Sequence, residues 1–216
     1  MLYNIVMNKA KHITLKSYMN KDLIEVGLDE AGRGALAGPV VVAAVIMPKG
    51  FTHPLVKDSK LLNEGERREA RKLVLDNAVS YSIKAIDVDY IEKTNILKAT
   101  LHGMKECLDG IKIKGDSFDF ILVDGDQFHG WNGVPFETVV GGDNKYTSIA
   151  AASILAKTSR DLIMKKLNEG YEQYGWNSNK GYGTSAHRNA IKQDGATEHH
   201  RMSFISHMLT STQSLF

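Results

Sequence analysis

A single cysteine, Cys107, stands in 216 residues, so no internal disulfide can form and the chain reads as a protein of a reducing compartment. Proline is scarce, and no Pro- or Ser-rich linker, low-complexity tract or internal repeat divides the sequence. No apolar run reaches membrane-spanning length, and Lys9, Lys11, Lys16 and Lys21 are interspersed with polar residues instead of preceding a signal-peptide core. These absences point to a cytoplasmic protein with no membrane partner. A strong net charge is missing too, the formal value of +2 being too small to announce a nucleic-acid binder by itself. Its distribution is uneven, however: acids slightly outnumber bases through residue 143, and bases prevail from residue 144 onward. A metal site built early in the chain beside a basic surface built late would suit a phosphate-backbone ligand, although a solvated basic face is the commoner meaning of such a bias.

What is present suits one domain over residues 1–216, with residues 1–22 as an irregular N-terminal extension or short leading hairpin and 170–216 as a C-terminal extension. Apolar runs predict strands from Leu23 to Leu28 and from Val40 to Met47, joined by a glycine-rich turn, with further strands at Val79 to Ile86, Phe118 to Val123 and near Thr138 to Val140. Asn63 is a plausible N-cap for an amphipathic helix from Glu64 to Asn77. The stripe of Ile91, Ile96, Leu97, Leu101 and Met104 predicts a helix over Val88 to Leu108, and a long helix follows from Asn144. Residues Gly170 to Gly183 read as loop, and a last helix as Ser185 to Gln193.

The chemistry gathers where strands stop. Asp29 and Glu30 close an apolar run and are followed by Gly32-Arg33-Gly34. Neighbouring strand side chains point to opposite faces, so both acids serve one site only if the pleat breaks there or one residue offers its backbone carbonyl. Gly32, Gly34 and Ala37 also fit the dinucleotide-binding spacing, but the β-branched run after Pro39 opens no helix, and two acids at its mouth would repel a phosphate unless a metal intervened. Asp124 ends a second apolar run and Asp143 a third, although acids are disfavoured within strands. Asp29, Glu30, Asp124 and Asp143 thus make the set expected of a two-metal phosphodiesterase, and oxygen donors without His or Cys favour Mg2+ or Mn2+. Asp124-x-Asp126 also fits an aspartate-nucleophile phosphatase, which would have Thr or Val where Phe128 stands.

Several blocks together resemble a known family: Asp29-Glu30-Ala31-Gly32-Arg33-Gly34 with Ala37-Gly38-Pro39, Lys57-Asp58-Ser59-Lys60, Val123-Asp124-Gly125, Gly142-Asp143, Ser148 to Lys157, Gly181-Tyr182-Gly183-Thr184 with His187, and His200-Arg201 before Ser203-Phe204. In this order the chain resembles the type 2 ribonucleases H, in particular bacterial ribonuclease HII. The resemblance implies an α/β fold: a ribonuclease H-like mixed β-sheet flanked by helices, with a C-terminal helical extension. It implies an endoribonuclease that cuts the RNA strand of RNA/DNA hybrids and incises 5′ of single ribonucleotides in duplex DNA, leaving 5′-phosphate and 3′-hydroxyl ends.

By motif, the resemblance makes Asp29, Glu30, Asp124 and Asp143 the catalytic carboxylates and ligands of Mg2+ or Mn2+. Gly32, Arg33 and Gly34 match the turn that reads the RNA-to-DNA junction, where backbone groups approach the 2′-hydroxyl. Tyr182 matches the aromatic that stacks on the following deoxyribose. Lys60, Lys157 and Arg160 are further phosphate-contact candidates, and His187, His199 and His200 are read as structural or surface residues and not as metal ligands. Ala35 stands where many relatives carry cysteine, and Ile205-Ser206 replaces a proline-containing end. The expected partners are RNA/DNA hybrid and ribonucleotide-containing duplex DNA, with the enzyme a monomer. Another ribonuclease H-like nuclease, a junction resolvase or a ribonuclease HIII, is the competing reading; the latter commonly carries a substantial N-terminal domain, for which the leader here is short. A non-catalytic nucleic-acid binder would leave the four acids unexplained.

Overall fold

The computed structural model describes residues 14–210, and the expectations for residues 1–13 and 211–216 lie outside them. Five strands form one mixed sheet: β1 (Glu25–Ala31), β2 (Val40–Ile46), β3 (Ser80–Ile86), β4 (Phe120–Asp124) and β5 (Phe136–Val139), in the order β3-β2-β1-β4-β5. Strands β1, β2 and β3 are antiparallel neighbours, while β4 runs parallel to both β1 and β5. Strand β2 is buried along its whole length, which explains why Val40 to Ile46 is a continuous apolar run and not an alternating one.

Helices cover both faces. Helix α1 (Glu64–Asn77) and α4 (Thr147–Asn168) pack on one side through Ala70, Val74, Ile154 and Leu155, against Ala31, Ala43 and Val45. On the other side α3 (Ile96–Ile113) sets Met104, Cys107, Leu108 and Ile111 against Val26, Leu28, Val42 and Ile121. The sole cysteine is therefore core: burial holds its thiol up at about 12, far from reactive. The small residues at the start of α4 let it approach the sheet; a Cβ at Gly27 would run into the backbone of Ser148 and Ile149. Beyond α4, α5 (Trp176–Asn179), α6 (Ser185–Asp194) and α7 (Met202–Thr210) form a second cluster around Tyr174, Trp176, Ile191 and Ile205, which meets the turn between β1 and β2 through Leu36 and Ala37.

Helix α1 occupies the expected residues and carries a complete capping box, Asn63 Oδ1 accepting from the Glu66 N–H at 3.0 Å and Glu66 Oε2 from the Asn63 N–H at 2.8 Å. The expected helix over Val88 to Leu108 is instead two, α2 (Val88–Lys93) and α3, because Thr94 ends the first and the Asn95 side chain caps the second through the Lys98 N–H. The loop after Gly170 contains α5, and α7 follows the helix expected to be last. Residues 14–22 form no hairpin among the described residues. Lys16 pairs with the start of α4 instead, its N–H donating to Lys145 O and its carbonyl accepting from the Thr147 N–H, both at 2.9 Å.

Candidate active site

Strands β1 and β4 lie in parallel register up to Leu28 and Val123, so Asp29 and Asp124 are the next residues on adjacent strands, roughly 4.8 Å apart across the sheet. Both sit at the carboxyl end of the central strands, where β4 stops. Asp29 shares the Gly27 and Ala31 face of β1 and points toward α4, on the side of Ser153. Its Oδ1 accepts from the Glu30 N–H at 2.7 Å.

Of the two arrangements expected for Asp29 and Glu30, the first does not occur: the pleat does not break there. Pairing with β2 continues through Ala31. What brings Glu30 to the same cleft is the end of β4: with no neighbour beyond Asp124, Glu30 reaches past the open edge, where it meets Arg33 at 3.3 Å.

Asp143 arrives by a different route. Its turn follows β5, and the Gly142 N–H donates to Asp124 Oδ1 at 2.7 Å, tying the third acid-bearing segment to the second. Asp58, at the cap of the short 3-10 turn Ser59–Leu61, faces Asp143 from the other side, with Asn144 donating to both carboxylates at 3.3 Å.

The electrostatics agree with this crowding. Burial, then the charges of Glu30 and Asp124, hold the Asp29 carboxyl well above its ordinary range. Burial raises Glu30 against the opposing pull of Arg33. Asp143 rises to about 6 through burial and the charges of Asp58 and Asp124. Lys60 records the same cluster from the cationic side: burial would lower it, yet Asp58, Asp143, Asp29 and Asp124 together push it up. Among the described residues no three His, Cys, Asp or Glu side chains are drawn together as a finished ligand set. The acidic groups that crowd one another there are nonetheless all carboxylates, oxygen donors of the kind that fits Mg2+ or Mn2+.

The wall opposite the acids is made by Gly32, Arg33, Lys60, Lys157 and Tyr182. Gly32 adopts φ +99°, and a Cβ there would collide with the Arg160 side chain. Gly34 has open space around it, with nothing within 4 Å of where a Cβ would stand. Lys157 Nζ lies 6.0 Å from the centre of the Tyr182 ring and pairs with Asp161 at 2.7 Å.

A family model for ribonuclease HII matches residues 26–207. The chain belongs to the ribonuclease HII family. Ribonuclease HII of Bacteroides thetaiotaomicron is 46% identical over 190 residues, spanning 88% of this chain and 94% of that one. Its counterpart in Salinibacter ruber is 50% identical over 184 residues, with 82% and 89% covered. Of solved structures, the PCNA:RNase HII complex from Archaeoglobus fulgidus superposes at a TM-score of 0.66 with 26% identity, covering 83% of this chain and 94% of that one. A Bst-RNase HIII bound to Mn2+ superposes at 0.67 with 19% identity, covering 89% of this chain and 70% of that one, and so shows the fold alone. As a ribonuclease HII family member this protein is a ribonuclease H, an endonucleolytic hydrolase.

Arg160 is not a phosphate contact. Fully buried, it donates from Nε to Pro39 O, from Nη2 to Ala37 O and from Nη1 to Lys180 O, all within 2.9 Å. Its role is to hold the glycine turn against the Tyr182 loop. Arg201, which the sequence presents only as part of a motif, grips the same turn from the start of α7, reaching Gly38 O and Arg33 O. Asp58, Ser59 and Ser153 join the site as well; Asp58 and Ser59 lie within the Lys57 to Lys60 block and Ser153 within the Ser148 to Lys157 block. Ser59 and Ser153 share a hydroxyl contact of 3.1 Å behind Asp29.

Asp126 is exposed and outside the cleft, which leaves the phosphatase reading without its second acid. His187 and His200 are structural, as expected. Trp176 donates to His187 Nε2 at 3.0 Å, so the His187 proton sits on Nδ1 and is given to Tyr182 O at 3.0 Å. His200 Nε2 lies 3.2 Å from the same His187 nitrogen, and its Nδ1 accepts from the Thr197 N–H.

Proposed function

We propose that Asp29, Glu30, Asp124 and Asp143 are the catalytic carboxylates of this ribonuclease H, that they hold two divalent cations, and that RNA/DNA hybrid and duplex DNA bearing a single ribonucleotide are its substrates. The observation that carries the reading is the parallel register of β1 and β4, which sets Asp29 beside Asp124 where β4 stops, with Gly142 binding the Asp143 turn to Asp124. Bound there, Mg2+ or Mn2+ supplies an activated water and stabilises the departing 3′-oxygen.

The chain's own residues do the positioning. The open space at Gly34 admits a sugar-phosphate backbone close to the strand end, where backbone groups of Gly32 to Gly34 meet the 2′-hydroxyl that marks RNA. Tyr182 offers its ring to the next deoxyribose, fixed from below by Arg160. Lys60, beside the acids, and Lys157 meet phosphate oxygens, and Arg33 lies at the mouth of the cleft next to Glu30. We infer a monomer working in the cytoplasm; no helix among the described residues is long and apolar enough to cross a membrane.

The test is an end-labelled duplex with one ribonucleotide, incubated with and without Mg2+ or Mn2+. Incision 5′ of the ribonucleotide only when metal is present supports the reading. Equal cleavage of a four-way junction lacking RNA would favour the resolvase alternative.

A further inference from the structure

A second concave surface adjoins the catalytic cleft. It lies between α1 and α4 and is lined by Arg67, Arg68 and Arg71 on one side and Lys165 and Lys180 on the other. Two acids, Glu64 and Asp161, share it, and Asp161 is already paired with Lys157. The two surfaces have a common wall: Lys157 and Tyr182 face the catalytic cleft, while Asp161, one helical turn on, and Lys180, two residues back, face this one.

The arginines of α1 are held by neutral oxygens. Arg71 Nη1 donates to Thr158 Oγ1 and Ser159 Oγ, each at 2.8 Å. Arg67 donates to Leu62 O and to Ser59 O, the latter at 3.2 Å, and so braces the turn that carries Lys60. These bonds fix the side chains without cancelling their charge. Arg68 and Lys165 are exposed and enter no ion pair among the described residues. A merely solvated basic face would not be expected to run directly into a catalytic cleft with its cations pinned by hydroxyls and carbonyls.

We propose that the α1–α4 cleft binds a backbone phosphate of the nucleic-acid substrate a few nucleotides from the scissile bond. The inference rests on the ribonuclease reading of the adjacent site. Lys165 lies about 12 Å along α4 from Lys157 at about 1.5 Å per residue, and a strand advances about 3.4 Å per nucleotide, which places the bound phosphate roughly three to four nucleotides away. Substrate affinity then depends on duplex length on that side.

The experiment compares the wild-type protein with the double variant Arg68→Gln, Lys165→Gln in Mg2+, on a long duplex with one central ribonucleotide and on a duplex truncated next to it. Both side chains project into solvent, and an unchanged melting temperature establishes that the variant is folded. On the long duplex KM rises about tenfold with kcat unchanged, the slope of log affinity against log salt falls by about 0.9 for each phosphate no longer neutralised, and the truncated duplex does not distinguish the two proteins. Unchanged KM and salt slope, or equal losses on both duplexes, would overturn the proposal. If the wild-type protein fails to cut either duplex, the ribonuclease reading itself falls; if it cuts both and the variant matches it, only the cleft is wrong.

Discussion

The guanidinium of Arg160 lies 5.1 Å from the centre of the Tyr182 ring while its nitrogens hold the carbonyls of Ala37, Pro39 and Lys180. A buried cation thus links the glycine turn at the end of β1 to the loop that presents the aromatic ring. Arg160→Met leaves two buried carbonyls and one partly buried carbonyl without their donor, and a loss of about 3 kcal/mol in urea unfolding is expected. A phosphate-contacting arginine would behave in the opposite way, leaving stability alone and lowering affinity at raised salt.

Gly34 has no internal reason to be glycine, whereas Gly27 does. Gly34→Ala should therefore unfold within about 0.5 kcal/mol of the wild type yet lose tenfold or more in single-ribonucleotide incision, because the methyl occupies space the substrate needs. Gly27→Ala should destabilise severely by separating α4 from β1. Equal stability losses at both positions would remove the substrate explanation for Gly34.

Tyr182 is half-buried on Arg160, with its backbone carbonyl held by His187. Replacement by Ala is expected to slow incision at a lone ribonucleotide about tenfold more than cleavage of a long hybrid, with Phe restoring most of the difference, since the ring and not the hydroxyl meets the sugar. Equal losses on the two substrates would argue against a junction-reading role.

The His187 and His200 pair makes a prediction about pH. Burial, then the charges of His187 and His199, lower His200 to about 4, and burial lowers His187 as well. Both are neutral in the native state, so below the unfolded value near 6.5 the unfolded chain takes up protons that the native one refuses. The stabilisation is complete above that value and is lost as pH falls toward about 4. The buried carboxyls of Asp29, Glu30 and Asp143 are raised and act in the other direction. The difference in urea midpoint between wild type and His200→Asn isolates the histidine contribution, and it should shrink between about pH 7.5 and about pH 5.

Much of the site is readable in the sequence because carboxylates at strand ends are conspicuous against apolar runs. The capping box at Asn63 and Glu66 marks α1 equally clearly. The break before α3 carries its own signal in Asn95, but the apolar stripe running through it masks the cap. Arg160 cannot be placed from sequence. On α4 it sits in a run with Lys157, Lys165 and Lys166, and only the three-dimensional course of residues 32–39 beneath it decides that it is buried rather than solvated. Asp58 is hidden by the reverse effect, an acid in a polar loop whose importance depends on the Asp143 turn lying opposite.

The most direct measurement of the central claim pairs incision with binding for Asp29→Asn on a duplex containing one ribonucleotide, in Mg2+ and in Mn2+. Substrate affinity close to wild type with incision reduced by a factor of about a thousand or more is the predicted result. Undiminished incision by this variant would contradict the account.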